Sequence, residues 1–286
     1  MNLIIALNEG VIYGCKESFF MTTSINNLNS AAPVVLITGA ALRIGRCIAL
    51  TMAQRGWDVV VHFNHSEQEA GVLVAEITAL GQRALSLQCD LSNESEVKNI
   101  VPRALARLGT LQCIVNNASI FEMDTVANFS HASLDQHMHV NLAAPLLLAQ
   151  ALFEATVEGQ QACVINLLDQ KLLNLNPDFL SYTLSKAALQ CATTTLAQAF
   201  APKVRVVGLS PGATVASHYQ DSENFEKAHQ IAVLGQSSTP QDIADAVHYL
   251  SCARAVTGIT LTVDGGQHLV PLARDVMYSV NLASGV

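Results

Sequence analysis

Charge is what this chain has least of. Of its 286 residues only 13% are Asp, Glu, Lys or Arg, and half are apolar, against a usual charged share of ~25%. That composition excludes disorder and fibrous repeats and allows one large core, with further surface covered by a second copy of the chain. Positive charge is scarcer still. Fifteen Lys and Arg against 23 Asp and Glu give a formal net charge of −8, and no stretch gathers cations into a stripe able to neutralise several phosphates. Neither nucleic acid nor an anionic membrane surface is an expected partner, whereas a small phosphorylated ligand needs only a few local groups. No run reaches the ~18 apolar residues of a membrane span, since LAAPLLLAQALF is broken by Pro145 and Gln150. No basic start followed by a long apolar run marks a signal peptide. The seven cysteines form no C-x-x-C pair, which argues for reduced, mostly buried thiols and a cytoplasmic location. No metal site is expected, because His137 and His139, two apart on a helix, point in different directions.

What is present is a regular alternation. Short β-branched runs at 34–38, 58–63, 84–89, 113–117, 162–168, 204–210 and 259–263 are separated mostly by helical stretches, the first spanning 44–55. Seven near-continuous apolar strands with intervening helices predict an α/β chain: a Rossmann-type, doubly wound parallel sheet with helices on both faces. No linker divides 31–270, which is expected to be a single domain. Residues 1–30 differ in composition and are read as a flexible leader, or as an over-long start with Met21 as the initiator. Residues 271–286 lack a period and are read as a C-terminal tail that packs on a neighbouring subunit. Polar and glycine residues collect at strand ends (Thr38-Gly39, Asp90, Asn116-Asn117, Asp169, Pro211-Gly212), where open α/β sheets bind ligands.

TGAALRIG (38–45) joins the first strand to the first helix. Gly39 permits a sharp turn, Gly45 permits close helix packing, and the helix N-terminus offers free N–H groups to a pyrophosphate. At the end of the second strand the acidic residue that accepts the ribose hydroxyls of NAD is missing. His62, Asn64, His65 and Ser66 stand there, and Arg43 lies in the turn. A guanidinium and a hydroxyl suit a 2′-phosphate, so NADP(H) is the expected cofactor. Asp90 could accept the adenine amino hydrogens, or with Ser92 compete to cap the next helix. Tyr182 and Lys186 in YTLSK are four apart and share a helix face, and a nearby ammonium can lower the pKa of a phenol toward the working range of a general acid.

TGAALRIG, Asp90-Leu91, NNAS (116–119), Asn141, Y-x-x-S-K and Pro211-Gly212, closed by VDGG (263–266), resemble in order and spacing the short-chain dehydrogenase/reductase family over about 34–266. The resemblance implies an NADP-binding reductase domain over 31–270, in which Tyr182 is the general acid/base. Lys186 lowers its pKa and holds the nicotinamide ribose, and Asn141 supports proton relay. It further implies that Ile44, Leu91, Asn116, Ala118, Pro211 and Gly212 line the cofactor and that the protein is a homotetramer. Two departures, Arg43 in the glycine turn and Asp169 where most members have Ser, resemble the pteridine reductase branch, which includes dihydromonapterin and alternative dihydrofolate reductases. NNAS, an aromatic at Phe121 and HFNHS also fit that branch. The expected reaction is hydride transfer from NADPH to a C=N bond of a pterin. Asp169 would help supply the proton that a ring nitrogen gains; Ser119 and Phe121 would bind substrate, with Phe121 stacking on the flat ring. The alternatives are a carbonyl or 3-oxoacyl reductase, which needs Tyr182 and Lys186 but not Asp169 or Phe121, and a non-catalytic NADP-binding regulator. Whether Ser217, His218 and Tyr219, in the loop between Thr214 and Pro240, meet substrate stays open at this point.

Overall fold

The computed structural model describes residues 32–282; the expected leader lies outside them, as do Cys15 and the last four residues of the expected tail. The strands are β1 (Val34–Ile37), β2 (Asp58–Phe63), β3 (Ala84–Gln88), β4 (Cys113–Asn116), β5 (Ala162–Leu167), β6 (Val204–Pro211) and β7 (Thr260–Val263). They form one sheet in the order β3-β2-β1-β4-β5-β6-β7, with each neighbouring pair parallel. The order reverses between β1 and β4, which opens a crevice above the carboxyl ends of the strands.

The helices are α1 (Arg43–Gln54), α2 (Glu67–Ala79), α3 (Glu94–Leu108), α4 (His131–Met138), α5 (Ala144–Ala155), α6 (Leu180–Phe200), α7 (Ser222–Gln230), α8 (Pro240–Cys252) and α9 (Val276–Leu282). Side chains alternate across each strand, and this divides the core in two. Val35, Ile37, Val59 and Val61 pack with Ile48 and Met52 of α1, Leu73 and Ile77 of α2, and Ile243 and Val247 of α8. Val34, Leu36 and Val60 pack with Ile100 of α3, Leu148 and Leu152 of α5, and Ala197 of α6. Each such Leu or Ile, fully buried, contributes ~1.5–3 kcal/mol, and truncating Leu36 to Ala would cost about 2–5 kcal/mol. The helical stretch His131–Ala155 is long and apolar enough to cross a membrane, with a mean hydropathy of 1.2; its Leu148, Ala149 and Leu152 instead pack against the sheet.

Helix starts differ in a way that matters for the site. Asn93 caps α3, accepting from the N–H groups of Ser95 and Glu96, so neither Asp90 nor Ser92 is the cap considered from the sequence. Thr239 and Asp242 form a reciprocal capping box on α8. By contrast α1 begins after Leu42, with no side-chain cap and no acidic residue in its first turn. Thiol burial is only partly as expected: Cys89, Cys113 and Cys163 are buried, but Cys191 and Cys252 are exposed because the helical period of α6 and α8 turns them outward. Within the chain, residues 271–282 are tied to the domain: Lys171 and Asp178 hold Asp275 and Arg274.

Candidate active site

A cleft of about 700 Å³ opens at the carboxyl ends of the strands, bordered by the β1–α1 turn, the loop after β4, residues 169–171, Tyr182, the loop after β6 and residues 275–277. Its floor is a tight turn. Gly39 has φ +61°, a left-handed conformation, and a Cβ on Gly45 would lie 2.2 Å from the Gly39 carbonyl oxygen. This close approach brings the uncapped N–H groups of α1 to the cleft, with Ile44 and Ala118 beside them. Helix α2 also starts without a side-chain cap, at Ser66, next to exposed His65 at the end of β2. The α1 N-terminus, behind the glycine turn and with no acid in its first turn, fits a pyrophosphate; α2 carries Glu67 and Glu69 in its first turn.

The structure brings some expected cofactor residues together and removes others from the cleft. His62 is 2% exposed. Its Nδ1 accepts from the Gly39 N–H at 2.9 Å and its Nε2 lies 3.0 Å from the Cys89 carbonyl, so the ring braces the turn and does not meet a phosphate. That network assigns the neutral tautomer with Nε2 protonated, and burial lowers the imidazole pKa to about 4. Asn116 is likewise withdrawn. Its β4 register faces Asn166 of β5, to which its amide donates at 2.8 Å, while its neighbour Asn117 grips the turn through the carbonyls of Thr38 and Gly39. Leu91 is buried in the core, leaving only its backbone for a nucleotide. Asp90 takes both the N–H and the hydroxyl of Ser92 on one carboxylate oxygen. Asn64 accepts from Gln88 at 3.4 Å. Arg43 has φ +54°, and its guanidinium donates to the Ala216 carbonyl at 2.5 Å. Ala216 follows β6, on the other side of β1 from the end of β2 where His65 and Ser66 stand, so the guanidinium of Arg43 is turned toward the loop after β6. Pro211 ends β6, and the N–H of Gly212 reaches Val263 and Ser238.

Tyr182 and Lys186 lie on one face of α6, as the spacing requires, and β5 delivers Asp169 to the same point. The Tyr182 hydroxyl donates to Asp169 Oδ2 at 2.6 Å. Burial raises the Asp169 pKa, opposed by the Tyr182 hydroxyl and the Lys171 N–H. Burial, and then the Asp169 charge, push the Tyr182 phenol well above its ordinary value. Burial brings the Lys186 ammonium down to about 8, with Asp169 opposing that shift. Lys186 Nζ donates to the Leu167 carbonyl at 2.7 Å and sits 5.8 Å from the Tyr182 ring centroid. The expected lowering of the Tyr182 pKa by Lys186 is therefore outweighed here: the nearest charge to the phenol is a carboxylate.

Asn141 lies in a π-helical turn (His139–Ala143) between α4 and α5, a local geometry that recurs at functional sites. Its Oδ1 accepts from the Ile120 N–H and its Nδ2 donates to the Ile120 carbonyl and to Ser185 Oγ. It therefore braces the loop after β4 against α6 and does not face the cleft. Ser119 lines the cleft. Phe121 does too, but one of its faces is stacked on Phe179 at 4.1 Å and Tyr182 meets it edge-on at 4.8 Å. Of the residues left open, Ser217 and His218 border the cleft, while the Tyr219 hydroxyl donates to Glu122 at 2.8 Å.

Sequence reasoning missed Phe179, Asn117, Lys171, Asp275 and Met277. Phe179 is fully buried with a left-handed φ of 55°; with Arg43 it is one of two non-glycine residues with positive φ among those described. Both border this cleft or the aromatic cluster beneath it, where such strain, of order 1–3 kcal/mol, tends to be held. Asn117 stood inside the quoted NNAS motif; the others carried no signal.

Residues 33–227 match the family model of the short chain dehydrogenase, and the chain belongs to that oxidoreductase family. A 3-oxoacyl-[acyl-carrier-protein] reductase of Synechocystis sp. is 29% identical over 82% of this chain and 96% of its own length. An uncharacterized oxidoreductase of Methylorubrum extorquens is 32% identical over the same shares. Among solved structures, the FolM alternative dihydrofolate reductase 1 of Brucella suis in complex with NADP superposes with a TM-score of 0.81 at 40% identity, over 84% of this chain and 96% of that one. Its Brucella canis counterpart, also with NADP, gives 0.79 at 38% over the same shares. A blue fluorescent protein from a metagenomic library, in complex with NADPH, gives 0.76 at 27% over 82% of this chain and 97% of that one.

Proposed function

We propose that this chain is an NADPH-dependent reductase of the C=N bond of a pterin or dihydropterin. The observation that carries the reading is the Tyr182–Asp169 hydrogen bond of 2.6 Å. A hydroxyl alone suffices for a carbonyl oxygen, whereas a carboxyl group beside the phenol gives a second site that can hold and pass on the proton a ring nitrogen gains. The similarity to alternative dihydrofolate reductases supports it.

The α1 N-terminus with Gly39, Ile44 and Gly45 would hold the pyrophosphate of NADPH. His65, Ser66 and Asn64 would hold the 2′-phosphate, Asp90 the adenine, and Ala118, Gly212 and Lys186 the nicotinamide end. Bound NADPH supplies a hydride. Tyr182 presents its O–H at the substrate nitrogen, and Asp169 in its protonated form replaces the proton that Tyr182 gives up, so the pair passes one proton outward and ends as one carboxylate. Because burial raises the Asp169 pKa, the fraction carrying that proton grows as pH falls, and reduction accelerates with it. Phe121 and Ser119 line the place where a flat, donor-rich ring would sit.

A second reading, reduction of a 3-oxoacyl thioester, is favoured by the Synechocystis relative. The purified chain is tested by following NADPH oxidation with dihydrobiopterin, dihydromonapterin, dihydrofolate and an acetoacetyl thioester, with NADH as the comparison cofactor. Turnover of a pterin with NADPH is expected. Inert pterins with a reduced thioester would overturn the proposal in favour of the second reading.

A further inference from the structure

The polar chain at the substrate end continues behind Asp169. Asp169 Oδ1 accepts from the backbone N–H of Lys171 at 2.8 Å. Lys171 is 3% exposed, with its ammonium 2.8 Å from Asp275 Oδ2, 2.6 Å from Asn176 Oδ1 and 5.4 Å from the Phe179 ring centroid. Asp275 opens the stretch 275–277 that borders the cleft, and Met277 packs there against Phe179 and Tyr182. The same segment is already fastened at its outer side by Arg274, which pairs with Asp178 at 2.7 Å, and by the Asp275 N–H on Asp178 at 2.8 Å. A second, buried ion pair is an expensive way to anchor a segment that is tied already, since desolvating two charges opposes their attraction. Its location next to Asp169 gives it another use.

We propose that Lys171 is a positioning residue for the reduction: through its ion pair with Asp275 it draws the C-terminal segment over the substrate end of the cleft, and from behind Asp169 it keeps the charge of the Asp169–Tyr182 pair in balance. This rests on the reading of that pair as the proton source. The charged and titratable groups facing Asp169 are Tyr182 and Lys186 from α6, Lys171 beside it, and Asp275 from the C-terminal segment. Lys171 favours the Asp169 carboxylate and Asp275 disfavours it, so the two charges act on Asp169 in opposite directions.

The test uses the full chain and whichever substrate it reduces, with rates measured against pH at saturating NADPH. Lys171→Met is expected to raise substrate KM on the order of tenfold, leave NADPH affinity unchanged, and move the midpoint of the kcat profile up by about one pH unit. Asp275→Asn is expected to raise KM similarly and move the midpoint down. Lys171→Met with Asp275→Leu removes both charges, so the midpoint returns while KM stays high; Lys171→Arg keeps the parent behaviour. Circular dichroism establishes that each variant folds, and the double variant, which leaves no unpaired buried charge, still reads out the proposal where a single one does not. Single variants that move the midpoint in the same direction, or a double variant with parent KM, would overturn it. Failure of the pterin reading is seen separately, in the substrate that the unmodified chain accepts.

Discussion

The two ends of the cleft are built by opposite means. At the nucleotide end donors are left unused: α1 begins with no side-chain cap and no acid in its first turn, while α3 and α8 are capped by Asn93 and Thr239. At the substrate end the polar groups are joined to one another, Tyr182 to Asp169, Lys171 to Asp275 and Asn176, Tyr219 to Glu122. A pyrophosphate at the α1 N-terminus gains hydrogen bonds without displacing a side-chain cap. At the second end a ligand must exchange bonds the chain already makes, so only a substrate with matching donors and acceptors enters without loss.

The comparison breaks most visibly at Tyr182. Tyr182→Phe is expected to lower turnover by about 10²–10⁴ and to leave NADPH binding, measured by calorimetry, at the parent value. Retained turnover would assign proton delivery to another group. Asp169→Ser is expected to slow pterin reduction by roughly 10–100-fold and to flatten its rise toward acid pH, because the group whose burial raises its pKa is gone. An unchanged rate and profile would reduce Asp169 to an N-cap for residues 170–173.

At the nucleotide end the sharper test is pH. In the folded chain the His62 pKa falls from 6.5 to about 4, so the unfolded chain takes up that proton first. The stabilisation is complete above 6.5 and is lost as pH falls toward 4, the loss reaching roughly 3 kcal/mol once pH lies below both values. In the folded chain Nδ1 takes up its proton only near pH 4 and can then no longer accept from Gly39, so the turn and NADPH affinity should weaken there and not at higher pH. Thermal unfolding of His62→Gln across this range should show a shallower pH dependence than the parent chain; parallel curves would remove His62 from the linkage.

The fold was legible because its signals are local and repeated. Val34–Ile37 and Asp58–Phe63 announce buried strands, and a glycine at 45 announces close packing against a turn. Tyr182, Lys186 and Asp169 were legible because helix spacing and strand ends fix them. What escaped depends on contacts distant in sequence: Lys171 meets Asp275 across 104 positions, and no period in 271–282 says where that segment lies. Asn116 was chosen over Asn117 because only the β4–β5 register shows which of the two turns inward. Phe179 gave no sign of a left-handed backbone, since any aromatic would read there as core.

Arg43 offers the smallest and most discriminating effect. A cation at a helix N-terminus opposes the dipole and so had to be justified by an anion, for which the 2′-phosphate was the natural choice from sequence. The Ala216 carbonyl, 2.5 Å from its guanidinium, satisfies it instead and ties the glycine turn to the loop after β6. Arg43→Ala should therefore loosen both cofactors alike, by the few-fold expected of an exposed hydrogen bond worth about 1 kcal/mol, and raise substrate KM as the loop is released. His65→Ala and Ser66→Ala should do the reverse, weakening NADPH while sparing NADH. Titrating both cofactors against the three variants separates the roles: a loss confined to NADPH in Arg43→Ala would return the guanidinium to the phosphate and make its bond to Ala216 a resting position that cofactor binding replaces.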